Sequence, residues 1–273
     1  QSLTLDGNNT ANCTLVIDGP SVNSYDLRDI FITGATNISF DICPTWNSQV
    51  SECTCANCVI QSERASIAQV RVGSSNALDL SFFGGVIDGG GITPYNFLMA
   101  AGAATLYDIA MSGATDADIY FATNDCFIKV FGCHSESKGM FLKAPKPSTQ
   151  YADYASSSGS IIAGFEDAAA REGLSILYQH GAPLTIIDVS IAGGVHVDAP
   201  GVIFAQGVRM NHAKTVPVVP GQTGWPNATW FGTGKQHTVS TRDSHTHYTS
   251  RPTSHRRCTC AGEVVGISSV RDP

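Results

Sequence analysis

Lys138, Lys143, Glu166, Asp167, Arg171, Glu172, Tyr178 and His180 fall close together in a chain where charged residues make up only 14% of the total. These residue types can carry out a β-elimination. A cation neutralises the carboxylate of an acidic sugar, a base removes the adjacent proton, and an acid protonates the leaving oxygen. On this reading Lys138, Arg171, Tyr178 and His180 form the catalytic set, and Lys143, Glu166, Asp167 and His196 bind substrate. Tyr178 and His180 are two positions apart, so on a strand they share a side; His196 and Asp198 repeat that spacing as a reserve pair. Each residue also has a plain structural reading. The lysines can be solubilising surface groups, and Glu166 to Arg171 one helical turn with a weak ion pair. Tyr178 can be a packed ring and His180 a satisfied polar group at a corner.

Positioning these side chains requires a scaffold, and a recurring phrase indicates which. Asp29-Ile-Phe-Ile-Thr-Gly-Ala-Thr is echoed at Asp108-Ile-Ala-Met-Ser-Gly-Ala-Thr and again, more faintly, at Asp188-Val-Ser-Ile-Ala-Gly. The Asp starts lie 79 (108 − 29) and 80 (188 − 108) positions apart, room for several coils between copies. A strand-corner-strand unit cannot bury its apolar face alone and must stack on its neighbours, which implies a solenoid. The expected fold is all-β, a single-stranded right-handed parallel β-helix over residues 1–212, followed by an irregular C-terminal arm over 213–273. Alternation predicts strands at Leu3–Leu5, Cys13–Ile17, Ile30–Ile32, Ile38–Ile42, Ala68–Val72, Leu78–Phe83, Phe97–Met99, Phe127–Phe131, Leu174–Tyr178, Leu184–Val189, Gly194–Val197 and Val202–Phe204. Residues 46–62 read as a cysteine-rich loop and 144–158 as a proline-containing loop. The stretch 234–257 is rich in Ser, Thr, His and Arg and too poor in aliphatics to fold alone.

A net charge of −7 argues against nucleic acid, and no apolar run is long enough to span a membrane as a helix. An acidic polymer would then need a local basic cluster or a bound cation; calcium is allowed as a cofactor but not required. Asp116, Asp118 and Asp125 lack the spacing of a dedicated calcium loop, and Asp88 reads as a turn residue. Nine cysteines and four sequons, at Asn8, Asn12, Asn37 and Asn227, together with a start in folded-looking sequence at Gln1, point to a secreted, glycosylated, disulfide-stapled protein. The run Cys53-Thr-Cys55-Ala-Asn-Cys58 lacks the second nearby ligand pair of a zinc site. The odd cysteine is compatible with a monomer or with a disulfide-linked dimer.

Residues 78–133 resemble the pectin-lyase-like right-handed β-helices, most closely the polygalacturonase branch. The resemblance rests on Gly85-Val-Ile-Asp88-Gly-Gly-Gly91, Tyr95-Asn-Phe97, Leu106-Tyr-Asp-Ile109 and Phe127-Ile-Lys-Val130. It implies a β-helix that holds a polysaccharide or oligosaccharide along its flank. The branch's hydrolytic residues have no counterparts: Lys138 stands where its motif carboxylate would be, Phe141 replaces the second, and Glu166-Asp167 matches its Asp-Asp pair poorly. A hydrolase needs an acid and a base across the scissile bond. The resemblance therefore leads to a lyase on an acidic polysaccharide, with a polygalacturonase-type hydrolase or a non-catalytic wall-binding β-helix as alternatives.

Overall fold

The computed structural model describes residues 3–45, 47–146, 159–169, 173–197, 202–206 and 209–210, and five strand segments between 229 and 264. It is an all-β, right-handed parallel β-solenoid, with no helix among the described residues. Each coil runs over three faces. Face 1 stacks Asp26–Arg28, the first part of Thr54–Gln61, the first part of Leu80–Asp88, Gly102–Tyr107, Cys126–Phe131, Ser160–Ala163, Pro183–Ile187 and Val202–Gln206. Face 2 stacks the start of Ile30–Ile42, the ends of Thr54–Gln61 and Leu80–Asp88, Ala110–Ser112, His134–Ser135, Glu166–Asp167 and Ser190–Ile191. Face 3 stacks the end of Ile30–Ile42, Ala68–Val72, Tyr95–Met99, Ala117–Phe121, Met140–Ala144, Leu174–Tyr178 and Gly194–Val197.

Rows of inward side chains, one above another in successive coils, fill the interior. Face 1 contributes Cys55, Phe82, Leu106, Val130, Ile162 and Ile186; face 3 contributes Phe40, Val70, Phe97, Ile119, Leu142 and Ile176. On face 2 the inward row reads Ile32, Ile60, Ile87, Met111, then Ser135 and Asp167, then Ile191. Stacking identical positions places like side chains one coil apart, so each coil covers the apolar surface its neighbour exposes.

The repeated Asp marks the corner between faces 1 and 2. Asp29, Asn57, Asp108 and Asp188 adopt φ of +53°, +53°, +53° and +48° there, and Gly84, Gly132 and Gly164 hold the same corner in the intervening coils. A single left-handed residue turns the chain sharply, and Asp, Asn and Gly tolerate that conformation best. Asp88, expected in a turn, is the last residue of the strand Leu80–Asp88 and caps the glycine turn that follows, its Oδ1 accepting from the Gly90 N–H at 2.9 Å.

Ala68–Val72, Leu174–Tyr178 and Gly194–Val197 are strands with the expected bounds. The cysteine-rich segment differs. Thr54–Gln61 is a strand crossing the face 1–2 corner, not a loop, because Cys55, Cys58 and Ile60 point inward as small apolar groups. Beyond residue 212, Thr229–Gly232 extends the stack in parallel with Val202–Gln206, and Arg256–Ala261 pairs antiparallel to it. The loop expected over 144–158 lies outside the described residues from 147 onward.

Candidate functional site

The corner between faces 2 and 3 gathers two polar layers, one inside the coil and one outside. The inner layer begins as a ladder on the first positions of face 3: Ser39, Gln69, Asn96 and Asp118, all buried. Gln69 bridges Ser39, both backbone groups of Ser62 and Thr93. Asn96 Nδ2 donates to Asp118 Oδ1 at 2.7 Å and to the Ser112 carbonyl at 2.8 Å. The hydroxyls of Ser135 and Ser137 also donate to Asp118. One coil further on, Asp167 accepts from Ser175 Oγ at 2.6 Å and from the Ala192 N–H at 3.2 Å. Apart from Asn96 Oδ1, which has no hydrogen-bond partner, these groups satisfy one another, the condition for keeping polar atoms in a packed interior. The network is missing from the sequence reading. Its signal was a polar residue directly before the inward apolar residue of successive face 3 strands.

The outer layer is half-exposed. Lys143 Nζ sits 2.8 and 2.7 Å from the two carboxylate oxygens of Asp116. It also lies 5.9 Å from the centroid of the Tyr120 ring. Tyr120 stacks on Tyr95 with centroids 4.3 Å apart. Burial, and then the neighbouring Asp116 carboxylate, push the Tyr95 phenol up to about 12, so it keeps its proton and acts as a donor. On the adjoining face 2, His134 lies between two exposed carboxylates, with Nε2 2.9 Å from Glu136 and Nδ1 3.9 Å from Glu166. Glu166 is the register partner of His134 one coil on.

Of the expected catalytic set, Lys138 lies apart from Tyr178 and His180. Lys138 is exposed on the face 2–3 corner, next to the Asp116 coil, where the Met140 N–H donates to the Asp116 carbonyl at 2.8 Å. Tyr178 and His180 lie at the end of face 3 and the turn toward face 1, and both are buried. His180 Nε2 contacts the Thr123 carbonyl at 3.2 Å and its Nδ1 accepts from the Ala182 N–H at 3.3 Å; the Tyr178 hydroxyl donates to the Ala182 carbonyl. Desolvation lowers the His180 pKa to about 4 and raises that of Tyr178 above the range of ordinary base chemistry. Arg171, Glu172 and Asp198 lie outside the described residues.

The expected binding residues also separate. Glu166 points out and Asp167 points in, as alternation on a strand requires. His196 is buried, its Nδ1 without a hydrogen-bond partner. Lys143 alone of the four joins the half-exposed cluster. The ring row Phe83, Tyr107 and Phe131 on face 1 stacks face to face, at 4.8 and 5.2 Å, so within that row each ring's flat side meets a neighbour. A sugar stacks on a free ring face, which the middle ring of that row lacks. Among the described residues, no group of three or more His, Cys, Asp or Glu is placed to hold a metal ion.

The fold and this corner define a class, the parallel β-helices. Comparison with protein-family models, with curated proteins and with solved structures gives no match to this chain.

Proposed function

We propose that this is a secreted, polysaccharide-binding β-helix that lays an acidic polymer along the corner between faces 2 and 3. The Lys143–Asp116–Tyr95–Tyr120 cluster carries the reading, since it joins a cation, a carboxylate and two phenols on the outer flank of the solenoid. Such a set donates to sugar hydroxyls and offers Lys143 to a uronate. Asn8 and Asn12, both in sequons and both exposed, suit a glycosylated secreted protein, and the resemblance to the pectin-lyase-like superfamily supports the same class.

A second reading is cleavage by β-elimination, favoured by the protonated Tyr95 phenol beside Lys143 and Asp116. Lys143 would neutralise the uronate and release Asp116 to take the proton next to it. The carbon–oxygen bond then breaks as the double bond forms, and the leaving oxygen takes the Tyr95 proton. The test is affinity electrophoresis through gels of acidic and neutral polysaccharides, run beside assays for unsaturated uronic ends and for reducing ends, with and without calcium. Retardation by an acidic polymer that weakens in Lys143→Ala supports binding. New unsaturated ends that vanish in Tyr95→Phe support elimination. Reducing ends without unsaturation would mean hydrolysis. No retardation and no product on any acidic polymer would overturn both readings.

A further inference from the structure

The carbohydrate reading makes no use of the buried thiols in the first coils. The seven cysteines whose side chains are described are all free thiols. Three of them converge. Cys53 and Cys55 have their sulfurs 3.9 Å apart. Cys55 closes face 1 and Cys58 opens face 2, on the two sides of the left-handed corner at Asn57, where the Cys58 thiol donates to the Leu27 and Ala56 carbonyls at 3.7 and 3.6 Å. Cys55 is the middle thiol of the run, in contact with Cys53 and across the corner from Cys58, and can bond to only one at a time.

We propose that Cys53, Cys55 and Cys58 form a disulfide site with Cys55 as the shared partner, closed by a small-molecule disulfide such as oxidised glutathione. The Cys58 thiolate attacks the oxidant and releases one glutathione thiolate. Cys55 then loses its proton to solvent and attacks the Cys58 sulfur, expelling the second glutathione. Two protein thiols are oxidised to one disulfide and one glutathione disulfide is reduced to two thiols. Cys53 can next attack Cys55, moving the bond to Cys53–Cys55 and freeing Cys58. The chemistry of the corner fits this order. Cys58 is the entry point, since it keeps a slight opening to solvent, whereas Cys53 and Cys55 are closed off. Hydrogen bonding from Cys55 lowers the Cys58 thiol to about 7, and the hydrogen bonds Cys55 makes to its two neighbours hold it well above the usual thiol range.

The test equilibrates the whole chain in oxidised or reduced glutathione, quenches with acid, then denatures, alkylates and maps the peptide spanning residues 53–58 by mass. At the oxidising poise that peptide is expected to lose two hydrogens and take up one alkyl group. At the reducing poise it should take up three. Cys53→Ser should keep a Cys55–Cys58 disulfide and Cys58→Ser a Cys53–Cys55 disulfide. Cys55→Ser should show two alkylated thiols and no disulfide. Circular dichroism confirms that each variant keeps its strands, and Cys53→Ser serves if Cys55→Ser does not fold. Three alkyl groups on the oxidised wild-type peptide would overturn the proposal. So would a bridge to Cys43 or Cys13, or a disulfide that persists in Cys55→Ser.

Discussion

Gly132 stands directly on Asp108: a Cβ placed on Gly132, whose φ is +64°, would lie 2.3 Å from the Asp108 Oδ1. At this point the corner sets a residue with a side chain against one without. Gly132→Ala has to bear left-handed strain and also displace the Asp108 carboxylate, so we expect a loss of about 2–3 kcal/mol. Gly164 shares the corner with φ +61°, but its nearest atom would be 3.7 Å away, and Gly164→Ala should cost only about 1 kcal/mol. Gly132→Asn should be milder than Gly132→Ala, because Asn57 already occupies this corner above Asp29 with Nδ2 3.4 Å from its carboxylate. Urea unfolding of the three variants checks the order. Equal losses in Gly132→Ala and Gly164→Ala would refute the stacking argument.

Asp118 should be the most sensitive position in the interior polar layer. It accepts from Asn96, Ser135 and Ser137, and all four residues are buried. Asp118→Ala would strand several donors away from water, at about 1–3 kcal/mol each. We expect loss of most of the folded protein, read as yield of soluble chain and urea midpoint. Ser137→Ala removes one donor and should cost about 1–2 kcal/mol. Lys138→Ala, at an exposed corner, should leave the midpoint unchanged.

The placement of the repeat was legible in the sequence because Asp29, Asp108 and Asp188 belong to the few residue types that tolerate a left-handed corner. The coils between them were harder to see, since Asn57, Gly84, Gly132 and Gly164 satisfy the same requirement with different letters. Cys55 and Cys58 misled for a related reason: in this interior they replace aliphatic residues, so their spacing reports packing as well as chemistry. Tyr178 and His180 share one side, as their spacing requires, and are buried side by side, but the sequence carries no sign of which side is water. The outer cluster was only partly visible. Lys143 was expected to bind substrate, whereas Asp116, Tyr95 and Tyr120 meet it only through the register of neighbouring coils. Register partners on stacked coils lie 19 or more positions apart (Pro183 and Val202, 202 − 183) and follow no local period.

Acid should destabilise the protein through His180. Its pKa is lowered to about 4 by burial, against about 6.5 for an unfolded histidine. The unfolded chain therefore binds the extra proton first. The neutral ring's contribution is complete above about pH 6.5 and is lost as pH falls toward 4, with a ceiling on the order of 3 kcal/mol. Unfolding midpoints should drop between pH 7 and pH 5 in wild type, before most carboxylates titrate. His180→Gln should be less stable at pH 7 and show a flatter profile over that interval. A wild-type profile parallel to that of the variant would rule out His180 as the source.

The Lys143–Asp116 pair gives the polysaccharide reading a sign that a mere scaffold role would not reproduce. Paired with Asp116, Lys143 presents little net charge to a polymer, although its ammonium is only partly covered. Removing the carboxylate frees that charge, so Asp116→Asn should bind an acidic polysaccharide more tightly than wild type. Lys143→Ala should bind it about tenfold more weakly, the equivalent of about 1.4 kcal/mol. Both differences should shrink as salt rises, because charges at a half-exposed site are screened over about 10 Å at 0.1 M ionic strength. A neutral polysaccharide of similar length should not distinguish the two variants. Binding isotherms at low and high salt make the comparison. If Asp116→Asn and Lys143→Ala weaken binding alike, the pair acts by holding the corner in shape, and Lys143 is not the group that meets the uronate.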